Sequence, residues 1–147
     1  NMGVESFLLI SSINLIAAQR LVRRICEKCK ESAEVSPEIL INLGVDPAEV
    51  GAGFSTFHGR GCANCNGTGY RGRLAIYEVM VMHEGLKELI LRNASVVELK
   101  REAVKQGMST LRMSALQKVR EGLTTIEETV RVTDTDKGFG SVFSLGF

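Results

Sequence analysis

Apolar residues recur in two rhythms along this chain, and the change of rhythm marks its organisation. In the last third the rhythm is helical. Leu86, Leu89 and Ile90 lie three and four apart, which predicts a helix over 84–92. Ser95-Val96-Val97-Glu98 has the form of a capping box, in which the serine accepts from a free N–H and the glutamate reaches back. It predicts a helix to about Gln106, with Gly107 suited to the position just past the end. A further amphipathic stretch over 110–121 stops at Gly122. Thr124-Thr125-Ile126-Glu127 reads as a second capping box, opening a helix to about Val132.

Earlier in the chain the signals are more varied. Val4 to Ile16 reads as short helical sequence, with Ser11 or Ser12 able to cap its second half, and 17–25 looks extended. Residues 28–36 are polar. Pro37 opens a short helix to Leu43 that Gly44 ends, and Pro47 starts another turn at 48–50. Residues 51–72 hold seven of the fifteen glycines and read as loop. LAIYEVMVM, 74–82, has the β-branched and aromatic content of a strand. The result is a mixed α/β chain. The stretch 134–147 has three glycines and three phenylalanines (Phe139, Phe143 and Phe147) but no period. We expect it to be mobile, or ordered only against a partner.

Composition narrows the class. The chain has 147 residues, is 44% hydrophobic and 24% charged, and carries a net charge of +1. That is a globular composition with no bulk field toward nucleic acid or anionic membranes. The apolar stretch from Val4 to Leu21 is interrupted by Glu5, Asn14, Gln19 and Arg20, so it reads as a buried segment rather than a membrane span or secretory leader. A start at Asn1-Met2, running straight into apolar sequence, suggests a piece of a longer protein.

The sharpest chemical signal is a pair of CxxC knuckles, Cys26-Glu27-Lys28-Cys29 and Cys62-Ala63-Asn64-Cys65. Two cysteines three apart can place both sulfurs on one ion while backbone N–H groups point at the thiolates. Two such pairs complete the tetrahedral shell that zinc prefers, leaving no position for a catalytic water. The expected role is therefore structural Zn2+, in a reducing compartment. The long gap between the pairs implies an insert folded as a flap. Lys28, Lys30, Arg60 and Arg71 stand near the knuckles and offset the roughly −2 charge of a tetrathiolate zinc centre. Two disulfides, a redox CxxC or an iron–sulfur cluster are the alternatives. A redox motif normally has one pair, opening a helix.

Other matches are weaker. Gly67-Thr68-Gly69-Tyr70-Arg71-Gly72 fits GxGxxG, but it follows a knuckle and precedes a strand, whereas dinucleotide binding needs a strand before and a helix after. The CxxCxGxG run of J-domain co-chaperone zinc domains occurs only once. The chain contains no GxxxxGK[ST] phosphate loop. His58, four residues before Cys62, could replace a sulfur, but four cysteines suffice; it and His83 read as lone loop or surface histidines. Glu127 and Glu128 read as charges favoured at a helix N-terminus. Tyr70, Phe54 and Phe57 are candidates for packing the flap.

The order of these features carries a resemblance. MGVESFLLISSINLIAAQRLVRRIC, the spaced CxxC pairs, TGYRGRLAIYEVM and GMSTLRMSALQKVREGLTTIEETVRVT together resemble the C-terminal part of the secretion ATPase superfamily. The branch is that of the type IV pilus assembly and type II secretion ATPases, and the likeness covers about residues 2–133. It implies cytoplasmic hexameric motors at the inner-membrane face of Gram-negative envelopes, working on an inner-membrane platform protein. It also implies that the nucleotide loop and catalytic boxes lie upstream of residue 1. ATP and Mg2+ then belong to the intact parent, and this chain is not expected to hydrolyse ATP alone.

The resemblance implies an organisation as well. Residues 1–25 would be the last segment of a RecA-like core and 26–72 the tetracysteine zinc insert. Residues 73–82 would be the returning core strand, with 73–80 pairing with 17–25 as a hairpin. Residues 83–133 would form a helical subdomain and 134–147 a flexible tail. Arg73 matches the arginine of the family's GYRGR motif and would lie near nucleotide in the intact motor; a salt-bridging strand arginine is the equal alternative. Ordering a glycine-rich insert costs roughly 1–2 kcal/mol per residue, and a zinc site contributes on the order of 10 kcal/mol. Loss of one cysteine should then loosen 30–72 and spare the helices after Glu84. The competing function is a self-standing zinc adaptor binding protein or nucleic acid. Only 5% aromatic residues and a balanced charge count against a nucleic-acid ribbon, so no nucleic-acid partner is expected.

Overall fold

The computed structural model describes residues 15–133, with side chains from 17. The helix expected over 4–16 lies outside the described residues as far as 14, and so does the tail 134–147. Leu15 and Ile16 belong to a strand instead: β1 spans Leu15–Ile25. Along it Ala18 and Val22 are buried while Ala17, Gln19, Leu21 and Arg23 are exposed, so the two-residue period of a strand prevails over helical spacing. The long strand β4, Tyr70–Val81, pairs with β1. Its second half alternates cleanly, with Ile76, Glu78 and Met80 buried and Tyr77, Val79 and Val81 exposed. Its first residues, Tyr70 to Arg73, show no apolar alternation, which is why the strand begins earlier than the sequence pattern marks.

Between β1 and β4 lies the flap. It contains a short antiparallel ribbon, β2 (Lys30–Ala33) with β3 (Thr56–Gly59), in register Lys30 opposite Gly59 and Ala33 opposite Thr56. Helices α1 (Pro37–Leu43) and α2 (Pro47–Gly51) fill the span between the two strands. Both start as proline at the first turn predicts. The Ser36 hydroxyl accepts from the Ile39 N–H at 3.4 Å and the Asp46 carboxylate from the Ala48 N–H at 2.8 Å. Gly44 ends α1 at φ +112°, a left-handed conformation that a side chain would strain.

The last third forms α3 (Glu84–Leu91), α4 (Val96–Lys105), α5 (Leu111–Arg120) and α6 (Ile126–Thr133). Ser95 caps α4 as expected, accepting from the Glu98 N–H at 3.2 Å. The cap of α6 sits one residue later than the capping-box reading put it: Thr125, not Thr124, accepts from the Glu128 N–H at 3.1 Å. Thr124 is drawn away because its hydroxyl donates to the Arg23 carbonyl at 2.7 Å.

The described chain forms two compact units. One takes 15–18 and 77–110 and therefore α3 and α4. Its core is Met80, Met82, Leu86, Leu99, Ala103 and Met108. Within it the buried Glu78 carboxylate faces the Lys100 ammonium at 3.5 Å. The other unit takes 19–76 and 111–133, and so combines the flap with α5 and α6. There Leu40 and Val45 of the flap are buried with Leu116, Val119 and Ile126 of the last two helices, and Phe54 packs on that cluster.

Candidate metal centre

The backbone brings the two knuckles together from opposite ends of the flap. Cys26 and Cys29 follow β1, and Cys62 and Cys65 bracket a 3-10 turn over Ala63–Cys65. The Cys26 N–H donates to the Gly69 carbonyl at 2.9 Å and the Arg60 N–H to the Cys29 carbonyl at 3.0 Å, which stitches one knuckle to the other. Close crossing here requires glycine. A Cβ on Gly59 would lie 2.0 Å from the Gly69 carbonyl oxygen, and one on Gly69 would lie 2.4 Å from that of Gly59. The glycines of this segment therefore serve backbone contact. The GxGxxG match falls within it and runs into β4 with no helix following.

All four sulfurs lie within 4.8 Å of one another. Three pairs, Cys26–Cys62, Cys29–Cys65 and Cys62–Cys65, are separated by 3.8 Å. That is nearly twice a disulfide bond of about 2.05 Å, and the four cysteines are free. It is also the edge of a sulfur tetrahedron: Zn–S bonds of about 2.3 Å place the sulfurs about 3.8 Å apart. Spacing and donor set therefore fit a four-thiolate zinc site. Cys26, Cys29 and Cys65 are buried and Cys62 is half-buried.

The surroundings favour thiolates at specific sulfurs. The Gly61 N–H points at Cys29 Sγ at 3.3 Å. The Cys62 and Gly69 N–H groups point at Cys65 Sγ at 3.3 and 3.2 Å. The Asn64 amide nitrogen donates to Cys26 Sγ at 3.5 Å. Burial pushes the Cys29 thiol up to about 11. Burial acts the same way on Cys65, but its two backbone donors overcome it and hold that thiol at about 6. The Asn64 amide draws Cys26 below the usual thiol range. A buried cluster of this kind keeps its charge most readily when a cation shares it.

The base of the flap is joined to α6 by a second polar cluster that sequence reasoning missed. Glu128 is 1% exposed. Its carboxylate accepts from the Arg23 main-chain N–H at 2.7 Å, from Arg23 Nε and Nη2 at 3.0 and 2.9 Å, and from Arg131 Nε and Nη2, both at 2.8 Å. Burial would raise its pKa, but the two guanidinium groups hold it down to about 2. The Arg23 guanidinium also lies 4.2 Å over the Tyr70 ring, and the Tyr70 hydroxyl meets Thr125 Oγ1 at 2.8 Å. A helix-dipole role was expected for Glu127 and Glu128; Glu128 instead anchors β1 to α6. Glu128 and Arg131, three apart on one helix, carry a local sign of pairing; Arg23, 105 residues from Glu128, carries none.

The remaining candidates separate from the cysteines. His58 pairs with Glu31 across the ribbon at 3.1 Å. His83 precedes α3, in the unit without cysteines, its Nε2 buried without a hydrogen bond. Lys30 lies over the Phe57 ring at 4.7 Å, and Arg71 bonds Asn64. Arg73 lies exposed on β4. No helix among the described residues is long and apolar enough to cross a membrane.

Comparison with known proteins gives this geometry a context. Residues 1–131 match the family model described as Type II/IV secretion system protein. Over 138 residues, 93% of this chain, it is 53% identical to the type IV pilus assembly ATPase PilB of Myxococcus xanthus, of which it covers 24%. It is 41% identical over 133 residues to the protein of the same name from Pseudomonas aeruginosa, covering 90% of this chain and 23% of that one. To the type II secretion system protein E of Pseudomonas aeruginosa it is 44% identical over 134 residues, covering 90% and 26%. The chain thus spans about a quarter of the length of these relatives.

Proposed function

The chain belongs to the type II/IV secretion system protein family, and we infer that it is the zinc-binding C-terminal region of a cytoplasmic motor ATPase of type IV pilus assembly or type II secretion. One observation carries the zinc reading: two CxxC pairs 36 residues apart in sequence bring their sulfurs to tetrahedral spacing. Cys26, Cys29, Cys62 and Cys65 would hold the ion. With four thiolates it supplies cross-linking rather than chemistry on a substrate.

On this reading 1–25 and 73–82 are the end of a RecA-like core, 26–72 the zinc insert, 83–133 the C-terminal helices and 134–147 a tail. ATP and Mg2+ act elsewhere in the intact protein, since no phosphate loop occurs in this sequence. Arg73, exposed on β4, is the one residue here assigned to the nucleotide side of the motor. The partners are other copies of the motor, as a hexamer, and an inner-membrane platform protein, with the motor peripheral to that membrane.

The test is metal content by mass spectrometry on protein purified without chelator or added metal, with free thiols counted alongside. About one zinc per chain, with thiols released only by a strong chelator, supports the closed site. No metal with four reactive thiols overturns it, and no metal with no free thiols means disulfides.

A further inference from the structure

Beyond the four cysteines, one exposed arginine reaches the metal centre through an intermediary. Asn64 lies inside the second knuckle, between Cys62 and Cys65, and its amide nitrogen lies 3.5 Å from Cys26 Sγ, on the first knuckle. An asparagine amide can turn either edge toward a neighbour, and only the NH2 edge suits a thiolate. Arg71 decides which edge is presented. Its Nη1 donates to the Asn64 side-chain oxygen at 3.1 Å and to the Asn64 main-chain carbonyl at 2.7 Å. A guanidinium has donors only, so it holds the oxygen and leaves the nitrogen facing the sulfur. The same Nη1 thus fixes both the backbone and the side chain of Asn64.

The position suits that task. Arg71 follows Gly69, whose N–H meets Cys65 Sγ, and Tyr70, whose hydroxyl meets Thr125. The chain entering β4 therefore delivers three consecutive residues: Gly69, just before the strand, to the second knuckle, Tyr70 to the cap of α6, and Arg71 to the link between knuckles. Nothing in a CxxC spacing demands Asn64 or Arg71. Their contribution is to tie the sulfur of the first knuckle to the backbone of the second, a bond additional to the ion itself.

We propose that Arg71 and Asn64 are positioning residues of the metal centre: Arg71 orients Asn64, and Asn64 holds the Cys26 thiolate against release of the ion. The proposal rests on the zinc reading above. Outer-shell partners of this type are worth about 10–100-fold in metal affinity.

The test is the rate of zinc transfer from the intact protein to excess 4-(2-pyridylazo)resorcinol, after zinc content has been measured for each variant. Asn64→Ala removes the N–H donor without adding a charge beside the thiolates, and should speed transfer by about 10-fold. Arg71→Ala should speed it several-fold. If Arg71 acts through the Asn64 side chain rather than through the main-chain carbonyl it also holds, Arg71→Ala should add little once Asn64 is already Ala. If the two effects multiply, Arg71 acts on its own, and the relay is wrong. If neither variant changes the rate while wild type holds zinc, the proposal fails and the zinc reading stands. If wild type holds no zinc, both fall together.

Discussion

The unit built from α3 and α4 closes around methionine and leucine, with Met80, Met82, Leu86, Leu99, Ala103 and Met108 forming one apolar cluster. The unit that carries the cysteines divides its stability among three devices. A sulfur cluster closes the flap, a small apolar cluster joins the flap to α5 and α6, and a buried carboxylate joins β1 to α6. The difference follows from what each segment can bury. Residues 51–72 are too rich in glycine and polar side chains to make a core, so their order has to come from cross-links. The second unit is therefore sensitive to chelators in a way the first is not.

The widest separation between the units should come from the cysteines. Cys62→Ser leaves three thiolates and should lose the ion, removing on the order of 10 kcal/mol of apparent stabilisation from the flap. Hydrogen exchange should rise sharply over 26–72. The shared cluster extends the expectation beyond the flap: Leu40 and Val45 rest on Leu116, Val119 and Ile126, so protection in α5 and α6 should fall as well. Residues 84–105 should keep theirs. Equal loss in 84–105 would show that the two units unfold as one.

A smaller and symmetric pair of changes acts on the apolar clusters. Leu116 and Leu99 are 2% and 4% exposed, so each alanine replacement should cost about 2–5 kcal/mol. Leu116→Ala should loosen α5 together with α1 and leave the zinc content unchanged, because the sulfur cluster does not include that side chain. Leu99→Ala should loosen α3 and α4 alone. Zinc loss on Leu116→Ala would mean that apolar packing, and not the knuckle backbone, positions the cysteines.

These boundaries were only partly visible beforehand. The CxxC pairs specify their chemistry locally, and so do Ser95, Gly44 and Gly107, whose capping roles depend on neighbours within a few residues. The ribbon of β2 and β3 was not visible. KESA and TFHG show no alternation of apolar and polar residues, and Gly59 is there for its close approach to Gly69. The pairing of Arg23 with Glu128 spans 105 residues. The capping-box pattern points to Thr124 because its true partner, the Arg23 carbonyl, lies 101 residues away in sequence.

Acid should probe the carboxylate link. Glu128→Gln keeps the shape but loses the charge that two guanidinium groups face, and should cost about 2 kcal/mol near neutral pH. The folded-state pKa of about 2 lies below the ordinary glutamate value of about 4.3. The stabilisation is therefore complete above the ordinary value and fades as pH falls toward 2. Thermal melts of wild type and variant should differ most near pH 7 and converge as pH drops from about 4 to about 2. A gap that persists at pH 2 would mean that shape, rather than charge, is what Glu128 supplies.

The smallest effect tests whether local capping matters equally in the two units. Ser95 caps α4 through the Glu98 N–H at 3.2 Å, and Ser36 caps α1 through the Ile39 N–H at 3.4 Å. Serine-to-alanine changes at such caps cost about 1 kcal/mol. Helix α4 is held by apolar packing and by the Lys100–Glu78 pair, with no knuckle closing a loop around it, so Ser95→Ala should raise exchange at the first amides of that helix by roughly that amount. Helix α1 lies between β2 and β3, and the knuckles at both ends of the flap close the loop that contains it. Closure reduces the freedom that a lost cap would release, so Ser36→Ala should raise exchange less while the metal is bound. Stripping the zinc should remove that protection and bring the two substitutions to similar size. If they already match with zinc bound, the knuckles do not constrain α1.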